Sequence, residues 1–145
     1  MNIVLYGNGS SGNHGCEAII RGTVALLGAE KNSFRIQSAG PQEDKSYGLG
    51  SLAQIFPATC AYKKGFLFLK AYLKLKLTGN YTDMDGLSYL PGIRQASVGT
   101  DIALSVGGDN YCYGSTGIYG HLNQAYRKNG IKTALWGCSI EPNAV

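Results

Sequence analysis

Charge is scarce in this chain: Asp, Glu, Lys and Arg make up 15% of its 145 residues, against 44% hydrophobic residues. That balance excludes a self-repelling, disordered polypeptide, and the length suits one domain, residues 1–145, around one core of ordinary size. Cysteine is sparse too. Cys16, Cys60, Cys112 and Cys138 are widely spaced, with no C-x-x-C and nothing that reads as a secretory leader at Met1-Asn2-Ile3. A disulfide framework is therefore a poor reading, and a reducing cytoplasm is the expected setting. No apolar run approaches the roughly 20 residues of a membrane span.

An excess of basic over acidic residues is missing from most of the chain as well. The net charge of +4 falls to −1 once Lys63, Lys64, Lys70, Lys74 and Lys76 are removed, so the basicity is local. Nucleic acid is not an expected partner, because that footprint needs Lys and Arg spread along a face with aromatics between them. Glycine, by contrast, is abundant at 21 residues, which predicts many tight turns.

The glycines are concentrated where they matter most. An apolar strand, Ile3 to Tyr6, empties into Gly7-Asn8-Gly9-Ser10-Ser11-Gly12-Asn13-His14-Gly15 and then into a helix from about Gly15 to Leu27, in which Ile20, Val24 and Leu27 share a face and Gly28 serves as C-cap. A glycine-rich turn between strand and helix lets a ligand approach the backbone, and the free N–H groups of the helix start favour an anion or polar oxygen. A second strand, Phe34 to Ser38, completes a βαβ unit, the seed of a parallel sheet. Gly40-Pro41-Gln42-Glu43-Asp44-Lys45 reads as a surface loop, and a short strand is expected near Gln54 to Phe56.

Residues Lys63 to Leu77 read as a basic amphipathic helix with Phe66, Leu69, Leu73 and Leu77 at helical spacing, although Leu73-Lys74-Leu75-Lys76-Leu77 also alternates like a strand. The segment either rests on an anionic membrane surface, a peripheral contact through residues 63–77, or solvates one helix face over the core. Beyond it, Ile102 to Val106 is a buried parallel strand ending in Gly107-Gly108-Asp109-Asn110-Tyr111. A helix from Gly117 to Lys128, a Gly130 cap, a strand from Lys132 to Trp136 and the turn Gly137-Cys138-Ser139 repeat the arrangement. The fold class is thus α/β, a Rossmann-like parallel sheet flanked by helices, with its polar turns along one edge and one cleft there.

Gly7-x-Gly9-x-x-Gly12 formally matches a dinucleotide fingerprint, but the acid that should grip the ribose after the second strand is absent, Gln37-Ser38-Ala39-Gly40 standing in its place. Asn13, His14 and Glu17 suit a helix cap equally well as a titratable pair facing the cleft. Asp109, a lone acid at a buried strand's end, is expected to contact ligand, and Tyr111, Tyr113 and Tyr119 either stack on a sugar or seal a core edge. His14, Cys16, Cys112 and Cys138 share that edge but match no zinc spacing, so no metal is expected.

Taken together, Asn13-His14-Gly15-Cys16-Glu17-Ala18-Ile19, Val106-Gly107-Gly108-Asp109-Asn110-Tyr111 and Leu135-Trp136-Gly137-Cys138-Ser139-Ile140-Glu141-Pro142 resemble the polysaccharide pyruvyl transferase family. The resemblance covers Met1 to about Arg21 and Asp101 to Pro142. Members more typically carry Asn-x-Gly-Asp-Glu-Ala, with an aspartate where this chain has Cys16. It implies two facing Rossmann-like domains of GT-B-like architecture, of which this chain is the N-terminal one and the C-terminal domain is absent. It also implies transfer of the pyruvyl unit of phosphoenolpyruvate onto two hydroxyls of a sugar or lipid-linked saccharide, with no cofactor beyond that donor. His14 and Glu17 are then the expected catalytic pair. Gly9, Gly12, Asn13, Gly15, Gly107, Gly108, Asp109, Asn110, Tyr111 and Ser139 are the expected substrate-binding residues. A nucleotide-sugar glycosyltransferase and a non-catalytic sugar- or nucleotide-binding module are the alternatives, and the chain by itself is expected to be inactive.

Overall fold

A computed structural model describes residues 1–112 and 117–140. Tyr113, Glu141 and Pro142 lie outside the described residues. Five strands, β1 (Asn2–Tyr6), β2 (Ser33–Ser38), β3 (Gln54–Pro57), β4 (Ile102–Val106) and β5 (Lys132–Trp136), form one sheet in the order β3-β2-β1-β4-β5. Every neighbouring pair is parallel, with Leu5 opposite Ile36 on one side and Leu104 on the other. The helices are α1 (His14–Leu27), α2 (Pro41–Ser46), α3 (Phe66–Thr78), α4 (Thr82–Ser97) and α5 (Gly117–Lys128), with a 3-10 turn at Leu49–Ser51. The fold is Rossmann-like α/β.

β1 is the middle strand, and its alternating side chains feed two cores. Ile3 and Leu5 meet Ile20 and Val24 of α1, together with Ile36, Leu49 and Leu104. Val4 and Tyr6 meet Ile93 and Ala96 of α4 and Leu122 and Tyr126 of α5. Strands buried on both faces need to be apolar throughout, which is why Ile3 to Tyr6 carries no charge. One polar link crosses the second core: the buried Tyr126 hydroxyl donates to Gln37 Oε1 at 2.9 Å, and the Tyr6 and Tyr126 rings stand 4.8 Å apart.

Residues expected to form a surface loop at Gly40 to Lys45 form α2 instead. Pro41 starts it with a pre-set φ, Glu43 and Asp44 lie in the favourable first turn, and Asp44 is fully buried against Ser11. Helix α4 was not legible in the sequence because it contains Gly86, Pro91 and Gly92. Its glycines serve close packing: a Cβ at Gly86 would stand 2.7 Å from His121 Cδ2, and one at Gly92 would stand 2.6 Å from the Pro57 carbonyl. The alternating Leu73 to Leu77 segment is helical, and α3 ends at Gly79 in the left-handed region. Among the described residues no helix is long and apolar enough to cross a membrane.

Two glycine replacements separate packing from helix propensity. Gly92→Ala is expected to lower stability by about 1–3 kcal/mol, since backbone must move to admit the methyl. Gly22→Ala in α1, where a Cβ would meet nothing within 4 Å among the described residues, is expected to raise it by up to about 1 kcal/mol. Urea unfolding of both variants checks the pair, and a stabilised Gly92→Ala would contradict the packing.

Candidate functional site

Strand order reverses between β1 and β4, because the chain runs outward from β1 to β3 and then returns to β4 on β1's other side. Open parallel sheets bind ligands in the crevice at such a point, beyond the carboxyl ends of the strands. The glycine loop after β1 and Gly107 to Tyr111 after β4 flank that crevice.

These loops are joined by specific bonds. Asn110 Nδ2 donates to the Gly7 carbonyl at 2.6 Å, and the Ser139 amide donates to the Gly108 carbonyl at 2.7 Å. Tyr111 and Ile140 form a parallel bridge, and the Cys112 thiol reaches the Ser139 carbonyl at 3.3 Å. The glycines make room for this clasp. A Cβ at Gly107 would overlap Asn110 Nδ2, and Gly7 holds φ +80° with the same amide 2.9 Å from its Cβ position. Gly12 plays a similar part toward α2, since a Cβ there would stand 2.5 Å from Glu43 Oε1. Three glycines that read as ligand-approach positions therefore also serve contact between elements.

The expected residues divide into two groups across α1. Toward β4, Cys16 Sγ lies 3.3 Å from the Cβ position of Gly9, Ile19 lies 3.7 Å from that of Gly108, and Thr23 accepts from Trp136 Nε1 at 3.1 Å. Asp109 and Ser139 are exposed there, beside half-buried Asn110 and Tyr111. Ser105 Oγ and the Tyr111 hydroxyl are 3.1 Å apart, and the Tyr111 and Tyr119 rings are 5.5 Å apart. Burial pushes both phenols above the usual tyrosine range, so they remain neutral and able to donate.

On the neighbouring face of α1, turned toward Tyr47, stand His14, Glu17 and Arg21. Asn13 caps the helix by accepting from the Gly15 amide at 2.9 Å. His14 Nδ1 is 3.5 Å from Glu17 Oε2, Glu17 Oε1 accepts from Arg21 Nε at 2.8 Å, and Arg21 Nη2 donates to the Tyr47 carbonyl at 2.6 Å. The His14 ring meets the edge of Tyr47 at 5.8 Å and is otherwise open to solvent. The Arg21 guanidinium, with a smaller contribution from His14, holds the Glu17 carboxyl below its ordinary range. The structure thus brings His14 and Glu17 together, but on a different side of α1 from Gly108 and Asp109.

Asp44 is the buried acid that sequence reasoning missed. One of its oxygens accepts from both the Ser11 amide, at 2.8 Å, and the Ser11 hydroxyl, at 2.6 Å. Its other oxygen, like the buried Asn8 Oδ1, has no hydrogen-bond partner among the described residues. Nothing in the sequence distinguishes Asp44 from an ordinary loop acid, because Ser11 is remote from it along the chain. Ser105 did carry a signal as the one hydroxyl in the apolar run Ile102 to Val106.

Among the described residues no three His, Cys, Asp or Glu side chains are grouped closely enough to hold a metal ion. Comparison with family models, with curated proteins and with solved structures returns no match.

Removing the buried acid should be costly: Asp44→Ala strands the Ser11 amide and hydroxyl and is expected to lose about 1–3 kcal/mol in urea unfolding. The Glu17 pair has a pH signature. Because folding lowers its pKa, its contribution is present above the ordinary glutamate range and disappears as pH falls through the lowered folded value. The melting-temperature gap between wild type and Glu17→Gln should therefore close on acidification, and a gap that widens would contradict the pair.

Proposed function

We propose that this chain is the acceptor-binding lobe of an enzyme that transfers the pyruvyl unit of phosphoenolpyruvate to two hydroxyls of a sugar, forming a cyclic ketal and releasing phosphate. The resemblance of the Asn13 to Ile19, Val106 to Tyr111 and Leu135 to Pro142 segments supports the reaction. The charge around the loops supports the division of labour. Glu17, Glu43 and Asp109 lie on or beside them with some exposure to solvent, while Arg21 is committed to Glu17 and the Tyr47 carbonyl. Such an edge suits hydroxyl groups, which donate to carboxylates, and is a poor place for a phosphate dianion. The cations for the phosphate belong, in this reading, to a facing GT-B-like lobe.

The chemistry requires a base to take the proton of each attacking hydroxyl and an acid to protonate the enol methylene as the first sugar oxygen joins the enol carbon; phosphate then leaves that carbon and the second sugar oxygen takes its place. His14 is assigned the proton transfers. Glu17, kept ionised by Arg21, orients the imidazole and stabilises its charged form rather than acting as an acid. Asp109, Asn110, Tyr111 and Ser139 bind the acceptor, with Gly9, Gly12, Asn13, Gly15, Gly107 and Gly108 forming its backbone wall, and in this reading the acceptor extends across the start of α1 so that its reacting hydroxyls reach His14 on the other side. The reading carries a cytoplasmic location, at the inner face of the membrane where the acceptor is lipid-linked.

The first test needs only this chain. Neutral mono- and disaccharides are expected to shift the backbone amide resonances of Gly107 to Tyr111 and Gly9 to Gly15, while phosphoenolpyruvate leaves them in place. Thermal stabilisation by UDP or GDP instead of a saccharide would favour a nucleotide-sugar glycosyltransferase. In the complete two-lobed enzyme, His14→Gln should reduce phosphate release from phosphoenolpyruvate by about 10²–10⁴-fold with acceptor binding retained. Undiminished turnover would remove His14 from the mechanism.

A further inference from the structure

The apolar stripe of α3 points away from the protein. Phe66, Leu69, Leu73 and Leu77 recur at helical spacing, and they are 80%, 53%, 53% and 86% exposed, whereas Ala71 is the buried residue of the helix. An amphipathic helix resting on a core shows the opposite arrangement, with its long apolar side chains inside and its lysines in water. The expectation that this segment solvates one face over the core is therefore corrected. A row of large side chains left in water is a docking surface in search of an occupant.

Charge identifies the occupant. Lys63, Lys64, Lys70, Lys74 and Lys76 lie within this segment, and no acid occurs between them. The inner side of α3 borders a cavity of about 500 Å³ among α3, α4 and α5, where Lys70 and Lys74 are joined by Arg94, Lys128 and His121. One carboxylate faces that cluster: Asp83 pairs with Lys74 at 2.8 Å and stands 3.8 Å from His121 Nδ1. Lys64 and Lys76 hold their ammonium groups over the rings of Phe68 and Tyr72, 5.7 and 5.5 Å from the centroids, and both lysines are exposed, so these charges stand at the solvent surface of the helix. A second copy of the chain would set these lysines against their own equivalents, which is repulsive.

We infer that α3 is an interfacial helix that lays this protein on an anionic lipid bilayer. Phe66, Leu69, Leu73 and Leu77 enter the headgroup and acyl boundary, and the lysines pair with lipid phosphates. The inference stands apart from the pyruvyl reading, since it uses no residue of the glycine loops.

Flotation of the chain with vesicles tests it. Binding to phosphatidylcholine vesicles containing phosphatidylglycerol is expected, with weak binding to phosphatidylcholine alone and loss of the difference at high salt. Lys63→Gln, Lys64→Gln and Lys76→Gln combined should weaken binding by roughly a hundredfold, about fivefold per lysine. Phe66→Ser with Leu77→Ser should weaken it by about tenfold or more. Both variants alter exposed positions, and an unchanged circular-dichroism melt verifies that they fold. Absence of binding to anionic vesicles at low salt would overturn the inference, as would equal binding to neutral ones. So would a concentration-dependent dimer, seen by sedimentation, that Phe66→Ser with Leu77→Ser dissolves.

Discussion

β1 is the constraint on which the rest depends. It is hydrogen-bonded to β2 on one side and β4 on the other, and its alternate residues supply both cores. A strand in that position has no freedom of register, because a slip of one residue would exchange Ile3 and Leu5 with Val4 and Tyr6 between two differently shaped cores. The end of β1 is therefore fixed in space, and so is the first residue of the glycine loop. The Asn110 amide then converts that fixed point into a clasp, binding the Gly7 carbonyl and holding the turn after β4 against the turn after β1.

Site geometry follows from this. Three loops are tied together by hydrogen bonds at the point where strand order reverses, and the groups that vary in exposure stand around them. Asp109 and Ser139 are open on one side, while His14 is open on the other. Asp44, buried beneath the loop and bonded twice to Ser11, is the counterpart of the clasp toward β2. A buried carboxylate in this role is expensive unless its bonds are made, so the Ser11 contacts determine whether α2 docks at all.

Much of the architecture was legible because it is written in local signals. The apolar run Ile102 to Val106, the strand Lys132 to Trp136, the helix Gly117 to Lys128, and the Asn13 and Gly28 caps of α1 appear in the structure where their residues imply. What escaped notice is α4, whose Gly86, Pro91 and Gly92 all argue against a helix locally. Tertiary packing overrides that penalty by using the missing side chains to bring α4 against His121 and the Pro57 carbonyl. The short helix at Pro41 resembles a loop in sequence for a related reason: its stabilising partner, Ser11, belongs to a different loop.

By itself the sequence determined the α/β class, the parallel strands, the glycine-rich and polar turns along one edge and the candidate residues within them, since each depends on periodicity, glycine and capping among near neighbours. Only the tertiary structure decided which groups meet. It divided the predicted site across α1, buried Asp44, and gave Gly7, Gly12 and Gly107 a packing reason to be glycine. It also turned the apolar stripe of α3 outward, where periodicity alone shows that a helix has two faces and leaves open which of them the core takes. Those outcomes depend on contacts between residues far apart in the chain, and no local pattern encodes the distance between Asn110 and Gly7.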